Sequence, residues 1–290
     1  MTDQGILVDY HTHPMRTTEQ LPVAAHREHF RASMASYAER AAELGLAELG
    51  FSEHIYRLSL APGVVPWKQN LKGDIGAYVE AVLDVRQAFP SPVIRLSMEV
   101  DIVPSTVSIL QAALPLYPFD YILGSVHQVP DLAEDASPLE TYRGFYATIQ
   151  WAARSGLFHS IAHPDRVHRR WTPIGDEALH QLMAETAAVL ASHGVCVEAS
   201  SNGVRSAASG LDPHPSFLRL CRQHGVAVTL GSDAHKLDVL GEGLPELRDM
   251  LWGAGYRELA TYERGRRTMR PLPPPAAVAT PIPTGARVTA

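Results

Sequence analysis

The sequence predicts an α/β fold in which parallel βαβ units form a closed or nearly closed barrel within a single domain. Two patterns predict it. Short apolar runs alternate with segments of helical periodicity about seven times along the chain, and nearly every apolar run ends in a histidine or a carboxylate. Barrels of this kind place their active sites at the C-terminal ends of the strands, where these residues fall. A length of 290 residues suits one such domain, and 46% hydrophobic residues supply a substantial core.

The elements follow in order. Ile6-Leu7-Val8 is a short apolar run that leads into Asp9-Tyr10-His11-Thr12-His13. Extended geometry puts His11 and His13 on one side, because strand side chains alternate with period 2, so both can share one ion. Residues 27–44 show helical spacing through Phe30, Met34, Tyr37, Ala41 and Leu44, stopped by Gly45. Strand two, Ala47 to Phe51, ends in Ser52-Glu53-His54. The stretch from Ile55 to Lys72 carries Pro62, Gly63 and Pro66 without a clean period and reads as a long functional loop. Asp74 can cap a helix through Ile75, Tyr78, Val82, Val85 and Phe89, which Pro90 ends. Strand three, Val93 to Met98, delivers Glu99 and Asp101, and Ser105 can cap a short helix through Leu110. Strand four, Tyr121 to Leu123, delivers Ser125 and His127. A helix from about Leu139 to Arg154 stops at Gly156, and strand five, Phe158 to Ala162, delivers His163 and Asp165. Asp176 opens a helix to His193, and strand six, Val195 to Val197, ends in Glu198. A helix from about Ser216 to His224 precedes strand seven, Val226 to Leu230, which runs into Gly231-Ser232-Asp233-Ala234-His235. Gly243 to Ala254 is one more helix, and Glu258 to Tyr262 is a closing strand or cover. The barrel is thus expected over residues 1–270, with residues 271–290, rich in Pro, Ala and Thr, as a disordered tail.

The chain has 14 histidines, of which His26, His29, His180, His193 and His224 fall in helical segments while the others cluster at strand ends. His11, His13, His54, Glu99, His127, His163, Asp233 and His235 all end strands. Any one of them has an ordinary explanation, as a satisfied structural histidine or a helix cap. Together at one barrel mouth they would be costly to bury unpaired, and divalent cations remove that cost. Imidazole and carboxylate without cysteine suit Zn, Mn or Fe rather than a structural thiolate zinc. Eight ligands exceed the needs of one ion, so two or three divalent metal ions are expected, with Glu99 as a natural bridge.

A net charge of -6 leaves no basic surface for nucleic acid. Cys196 and Cys221 are too few for a disulfide framework and read as buried free thiols. No apolar run approaches the roughly 20 residues that cross a bilayer, and no signal-peptide pattern opens the chain. A cytoplasmic protein with no membrane or nucleic-acid partner is expected, and a homo-oligomer is compatible with the sequence.

Several longer segments carry a family resemblance: Asp9-Tyr10-His11-Thr12-His13, Gly50-Phe51-Ser52-Glu53-His54, Glu99-Val100-Asp101, Tyr117-Pro118-Phe119-Asp120-Tyr121 with Gly124-Ser125-Val126-His127, Ala153 to His159, Ala162-His163-Pro164-Asp165, and Gly231 to His235. In these the chain resembles the polymerase-and-histidinol-phosphatase (PHP) superfamily, over nearly its whole length to about residue 270. The short metal motifs match the superfamily at large, whereas the Tyr117 and Ala153 segments resemble its histidinol-phosphate phosphatases.

The resemblance implies a distorted (β/α)7 TIM-like barrel with a trinuclear site. One ion would take His11, His13, Glu99 and Asp233, a second Glu99, His127 and His163, and a third His54 and His235 with one more ligand. The family places a histidine at that last position, six residues after the second histidine of H-x-H, where this chain has Glu19; His26 or His29 is the alternative donor. Arg166 and Arg205 resemble phosphate-contacting positions, and a guanidinium suits phosphate through paired charge-assisted hydrogen bonds. The implied activity is hydrolysis of L-histidinol phosphate, a small phosphorylated metabolite of histidine biosynthesis, by metal-activated hydroxide, with Glu99, His127 and Asp233 central to catalysis. Asp233 or a metal-bound water would protonate the leaving alkoxide, and Glu198 or Asp101 would meet the substrate's ammonium. Three alternatives stand beside it: a PHP phosphoesterase for another small phosphate such as a nucleotide, an amidohydrolase, which the absence of a strand-end lysine disfavours, and a catalytically silent metal-binding module.

Overall fold

Each of the seven apolar runs becomes one strand of a parallel sheet in the computed structural model, which describes residues 7–15, 21–59, 63–68, 73–170, 172–202 and 212–275. The strands are β1 (Val8–Asp9), β2 (Glu48–Phe51), β3 (Val93–Asp101), β4 (Tyr121–Ser125), β5 (Ser160–Ile161), β6 (Cys196–Ser200) and β7 (Val228–Gly231), and neighbours in the chain are neighbours in the sheet. The two ends of the sheet also meet. Tyr10 N–H donates to Leu230 C=O at 2.9 Å and His13 N–H to Ala234 C=O at 2.8 Å, and Thr12 forms a parallel bridge with Ala234. The result is a nearly closed barrel, the distorted (β/α)7 TIM-like architecture.

Local chemistry explains most of the helix boundaries. The helices are α1 (Val23–Glu43), α2 (Ile75–Ala88), α3 (Val107–Ala113), α4 (Pro138–Ser155), α5 (Val167–Arg170), α6 (Asp176–Ser192), α7 (Pro215–Gln223) and α8 (Leu244–Gly253). Asp74 caps α2 as expected, its Oδ1 accepting from Ala77 N–H at 2.9 Å. Ser137 and Glu140 make a reciprocal capping box at the start of α4, and Gly156 ends that helix in the left-handed conformation with φ 72°. Two starts, those of α1 and α3, differ from expectation, while α6 opens at Asp176 as expected. Pro22 stands at the N-cap of α1, so the helix begins at Val23, before any buried apolar residue reveals it. Gly175 occupies the N-cap of α6, which places Asp176 in the first turn facing the positive end of the helix dipole. Ser105 lies inside a 3-10 turn, Pro104–Thr106, ahead of α3.

The segment expected as a closing strand or cover is a cover. β8 (Glu258–Glu263) pairs antiparallel with β9 (Arg266–Pro271), not with the barrel, through a two-residue turn at Arg264 and Gly265, both with positive φ as hairpin turns of this length require. The hairpin seals the N-terminal end of the barrel. Asp120 Oδ1 accepts from Arg264 N–H at 3.0 Å, Asp120 C=O accepts from Gly265 N–H at 2.9 Å, and Tyr262 Oη donates to His159 C=O at 3.2 Å. The expected boundary at residue 271 therefore falls within folded structure. Pro271 ends β9, Leu272 is buried, and Trp252 Nε1 donates to Pro273 C=O at 2.7 Å. Residues 276–290 lie outside the described residues. Among the described residues no helix is long and apolar enough to cross a membrane.

Beneath the barrel mouth the interior is filled by tyrosines. Tyr10 stacks on Tyr121 with ring centroids 4.8 Å apart, and Tyr121 on Tyr262 at 5.4 Å. Tyr121 Oη donates to Tyr10 C=O, and Tyr10 Oη donates to Glu48 Oε2 at 2.6 Å, which Arg95 also meets. This plug needs Gly50 on β2, since a Cβ there would lie 1.8 Å from Tyr121 Oη and 3.1 Å from Tyr10 Cα. Gly50→Ala is expected to destabilise the fold by about 2 kcal/mol through overpacking, read as a lower urea midpoint at unchanged m-value; an unchanged midpoint would show that the plug tolerates a methyl group.

Candidate metal centre

β3 continues past Met98 to Asp101, so Glu99 and Asp101 leave the strand on one side, into the barrel. Glu99 has no solvent contact and is ringed by imidazoles. Its Oε2 lies 3.4 Å from His11 Nε2, 3.5 Å from His13 Nε2 and 2.5 Å from His54 Nδ1. Its Oε1 lies 3.4 Å from His127 Nε2 and 3.1 Å from His163 Nε2. Each oxygen thus faces a different set of rings, which is the disposition of a bridging carboxylate. Asp233 Oδ1 closes the opposite side, 3.6 Å from His11 Nε2, 3.3 Å from His13 Nε2 and 3.5 Å from His235 Nδ1. His54 Nε2 lies 3.3 Å from His235 Nε2.

The structure therefore brings together His11, His13, His54, Glu99, His127, His163, Asp233 and His235. Within this cluster, His11 with His13 and Glu99, His54 with Glu99 and His127, and His13 with His54 and His235 form three groups whose ligand atoms all lie within 4.8 Å of one another. His54 stands between groups, with Nδ1 turned to Glu99 and Nε2 to His235. Glu19 and Arg205 lie outside the described residues. His26 is committed elsewhere, its Nδ1 accepting from Asp74 N–H at 3.3 Å and its Nε2 donating to Leu21 C=O at 3.2 Å.

A second layer of carboxylates sets the ring orientations. His11 Nδ1 donates to Glu198 Oε1 at 2.8 Å, and Glu198 Oε2 accepts from His163 N–H at 2.7 Å. His127 Nδ1 donates to Asp101 Oδ1 at 2.8 Å. A proton held on Nδ1 leaves Nε2 with its lone pair pointing at the centre. Glu198 and Asp101 are thus buried behind ligands, which overturns the expectation that either meets a substrate ammonium. Glu53 lies behind His13, 3.7 Å from its Nδ1, and accepts from Met15 N–H at 2.6 Å. Asp9 Oδ1 accepts from Ser232 N–H at 2.8 Å, tying β1 to the loop that carries Asp233. Glu53 and Asp9 adjoin the H-x-H and Glu-His motifs, and that adjacency was the signal for them.

Backbone geometry is spent on aiming the ligands. His163 and Asp233 are non-glycine residues in the left-handed region, with φ 30° and 52°, a conformation that costs about 1 kcal/mol or more. Gly231 lets β7 approach the centre, since a Cβ there would meet Glu198 Oε1 at 1.9 Å and His11 Cβ at 2.5 Å. Asn202 Nδ2 donates to Asp233 Oδ2 at 2.6 Å and holds the carboxylate in place.

These residues fit divalent cations. His11 Nε2, His13 Nε2, His54 Nδ1 and Glu99 Oε2 are buried and have no hydrogen-bond partner among the described residues, although they face one another. Burial disfavours charge on Glu99, yet the imidazoles of His54, His127 and His11 outweigh it and hold the carboxyl well below its ordinary range. Asp233 is likewise opposed by burial and held well below its range by His11 and His13. Burial pushes the His54 imidazole well below its ordinary range and lowers those of His163 and His235, which favours the neutral form that binds metal. His11 goes the other way, because Glu198, Glu99 and Asp233 overcome its burial. Buried carboxylates crowd this centre, at Asp9, Glu53, Glu99, Asp101, Glu198 and Asp233, and divalent cations would supply charge that balances them.

A cavity of about 270 Å³ opens over the cluster. Tyr56, Arg57, Lys68, Arg166 and Asn202 line it opposite His54, His127, Asp233 and His235. Arg166, singled out in the sequence, thus stands at the mouth, and its Nε is buried with no hydrogen-bond partner among the described residues. Tyr56, Arg57 and Lys68 were not singled out; their only signal was the long loop from Ile55, whose residues 60–62 and 69–72 lie outside the described residues.

Residues 26–202, more than half of the chain, match the PHP domain family. A Deinococcus radiodurans protein named "Probable histidinol-phosphatase" is 28% identical over 229 residues, covering 74% of this chain and 86% of that protein. The histidinol-phosphatase of Lactococcus lactis subsp. lactis is 23% identical over 277 residues, covering 87% of this chain and 92% of that protein. The fold is also that of the crystal structure of a Lactococcus lactis histidinol phosphate phosphatase complexed with Zn, L-histidinol and phosphate. That structure superposes with a TM-score of 0.71 at 20% identity and covers 90% of this chain and 98% of its own. With the family match spanning more than half of its length, the chain belongs to the PHP domain family.

Proposed function

We propose that the chain is a metal-dependent phosphomonoesterase that hydrolyses L-histidinol phosphate to L-histidinol and phosphate in histidine biosynthesis. The observation that carries this reading is the convergence of seven ligand-type side chains around the carboxylate of Glu99, with the unpartnered Arg166 Nε in the adjoining cavity. The substrate is supported by the relatives, named as histidinol-phosphatases, and the small cavity suits a small metabolite.

His11, His13, Glu99 and Asp233 would hold one ion and Glu99, His127 and His163 a second; His54 and His235, with Glu19 of the segment outside the described residues, would hold a third. Zn, Mn or Fe at these positions supplies Lewis acidity, lowering the pKa of water and neutralising phosphoryl oxygens. The chain supplies the rest. Glu198 and Asp101 fix the His11 and His127 rings, so the Nε2 lone pairs are set in advance of catalysis. Asp233, held in place by the Asn202 amide, would serve as a ligand and as a proton carrier for the leaving alkoxide. Arg166, and Arg205 outside the described residues, would grip the phosphoryl oxygens and align the ester.

Two measurements test this reading. Metal-loaded protein is expected to favour histidinol phosphate over nucleoside monophosphates and p-nitrophenyl phosphate by roughly tenfold or more in kcat/KM; a flat profile across this panel would refute the substrate assignment. Glu198→Gln removes the charge that orients His11 and is expected to weaken metal binding by about 10–100-fold. Competition with a chromophoric chelator, on protein shown folded by circular dichroism, measures this, and unchanged affinity would separate Glu198 from the metal centre.

A further inference from the structure

The wall of the mouth facing the ligands carries a cation that the mechanism above leaves unused. Lys68 Nζ donates to Tyr56 Oη at 2.8 Å and lies 3.9 Å from the centroid of the same ring. Tyr56 is buried and stacks on His54 with centroids 4.6 Å apart. The ammonium is therefore tied through one aromatic ring to a side chain of the metal cluster, a fixed position for an otherwise flexible residue. Tyr56 engages one of its three N–H donors. No described carboxylate comes within ion-pair distance of Nζ, whereas Arg57, the other cation of this turn, is paired with Glu53 at 3.4 Å. Lys68 and Arg166 thus border one cavity, each with donors left for a ligand.

A phosphomonoester carries close to two negative charges at neutral pH and a diester one. Cations at the centre and Arg166 meet the phosphoryl oxygens that both classes share. An additional ammonium at the rim acts on the charge that only the monoester has. We propose that Lys68, anchored on Tyr56, is a substrate-binding residue that selects phosphomonoester dianions over singly charged diesters. This rests on the reading of the site as a phosphoesterase and is independent of which monoester is the natural substrate.

The test compares wild type, Lys68→Met and Lys68→Arg as metal-loaded full chains on p-nitrophenyl phosphate and bis(p-nitrophenyl) phosphate, with a calorimetric titration of inorganic phosphate. Lys68→Met is expected to lower kcat/KM for the monoester about tenfold or more, chiefly through KM. It should leave the diester within about threefold and weaken phosphate binding about tenfold, and Lys68→Arg should restore most of each. Equal losses on both esters, no loss on either, or unchanged phosphate affinity in Lys68→Met would overturn the assignment. Should wild type hydrolyse these esters and spare histidinol phosphate, only the substrate reading fails. If it hydrolyses no ester, the phosphate titration decides for Lys68: failure of the wild type to bind phosphate, or equal affinity in Lys68→Met, overturns the proposal.

Discussion

Burying the carboxylate of Glu99 out of contact with water would cost several kcal/mol if it were left unpaired. His11, His13, His54, His127 and His163 approach its two oxygens from separate strand ends. Imidazoles balance that charge only when protonated, and protonated rings repel one another at separations of 4.1 Å for His13 and His54 and 5.0 Å for His11 and His13. Divalent cations between the rings and the carboxylate satisfy both requirements, and the orphaned lone pairs of the cluster are where such ions would sit.

Much of the barrel can be understood as support for that centre. The carboxylates of Glu198 and Asp101 bond the Nδ1 atoms of His11 and His127, where they set tautomer and ring angle. The left-handed backbone at His163 and Asp233 and the missing Cβ at Gly231 bring the chain closer to the centre than ordinary strand ends allow. At the far end, the tyrosine plug and the hairpin hold the strands at a fixed spacing. The Tyr117 and Ala153 segments belong to this second group. Asp120 grips Arg264, Gly265, Leu96 and Arg86, while His159 Nδ1 accepts from Ile122 N–H at 3.0 Å. Neither contributes a group to the mouth.

Strand ends were legible because burial on both faces makes parallel strands read as continuous apolar runs, and a polar residue directly after such a run stands out. Thus Asp9 to His13 and Gly231 to His235 could be placed from sequence. Helix starts were less legible where the first turn is exposed, as at Val23, because no apolar period marks it. β9 was invisible for the same reason: Arg266, Arg267 and Arg270 carry no apolar alternation. The roles of Glu198 and Asp101 depend on which side of a ring they reach, which is a tertiary fact, and so the sequence suggested a substrate contact where the fold has a ligand support. Lys68 was hidden because its partner Tyr56 lies across a loop without periodicity, and only the folded loop brings ammonium and ring together.

With its two oxygens facing different rings, Glu99 is expected to join at least two cations. Anomalous difference maps from crystals of the zinc-loaded protein measure this directly. At least two peaks are predicted, one beside each carboxylate oxygen of Glu99, the first reached by His11 and His13 and the second by His127 and His163. A single peak, or peaks away from Glu99, would contradict the bridging role on which the rest of the structure has been explained.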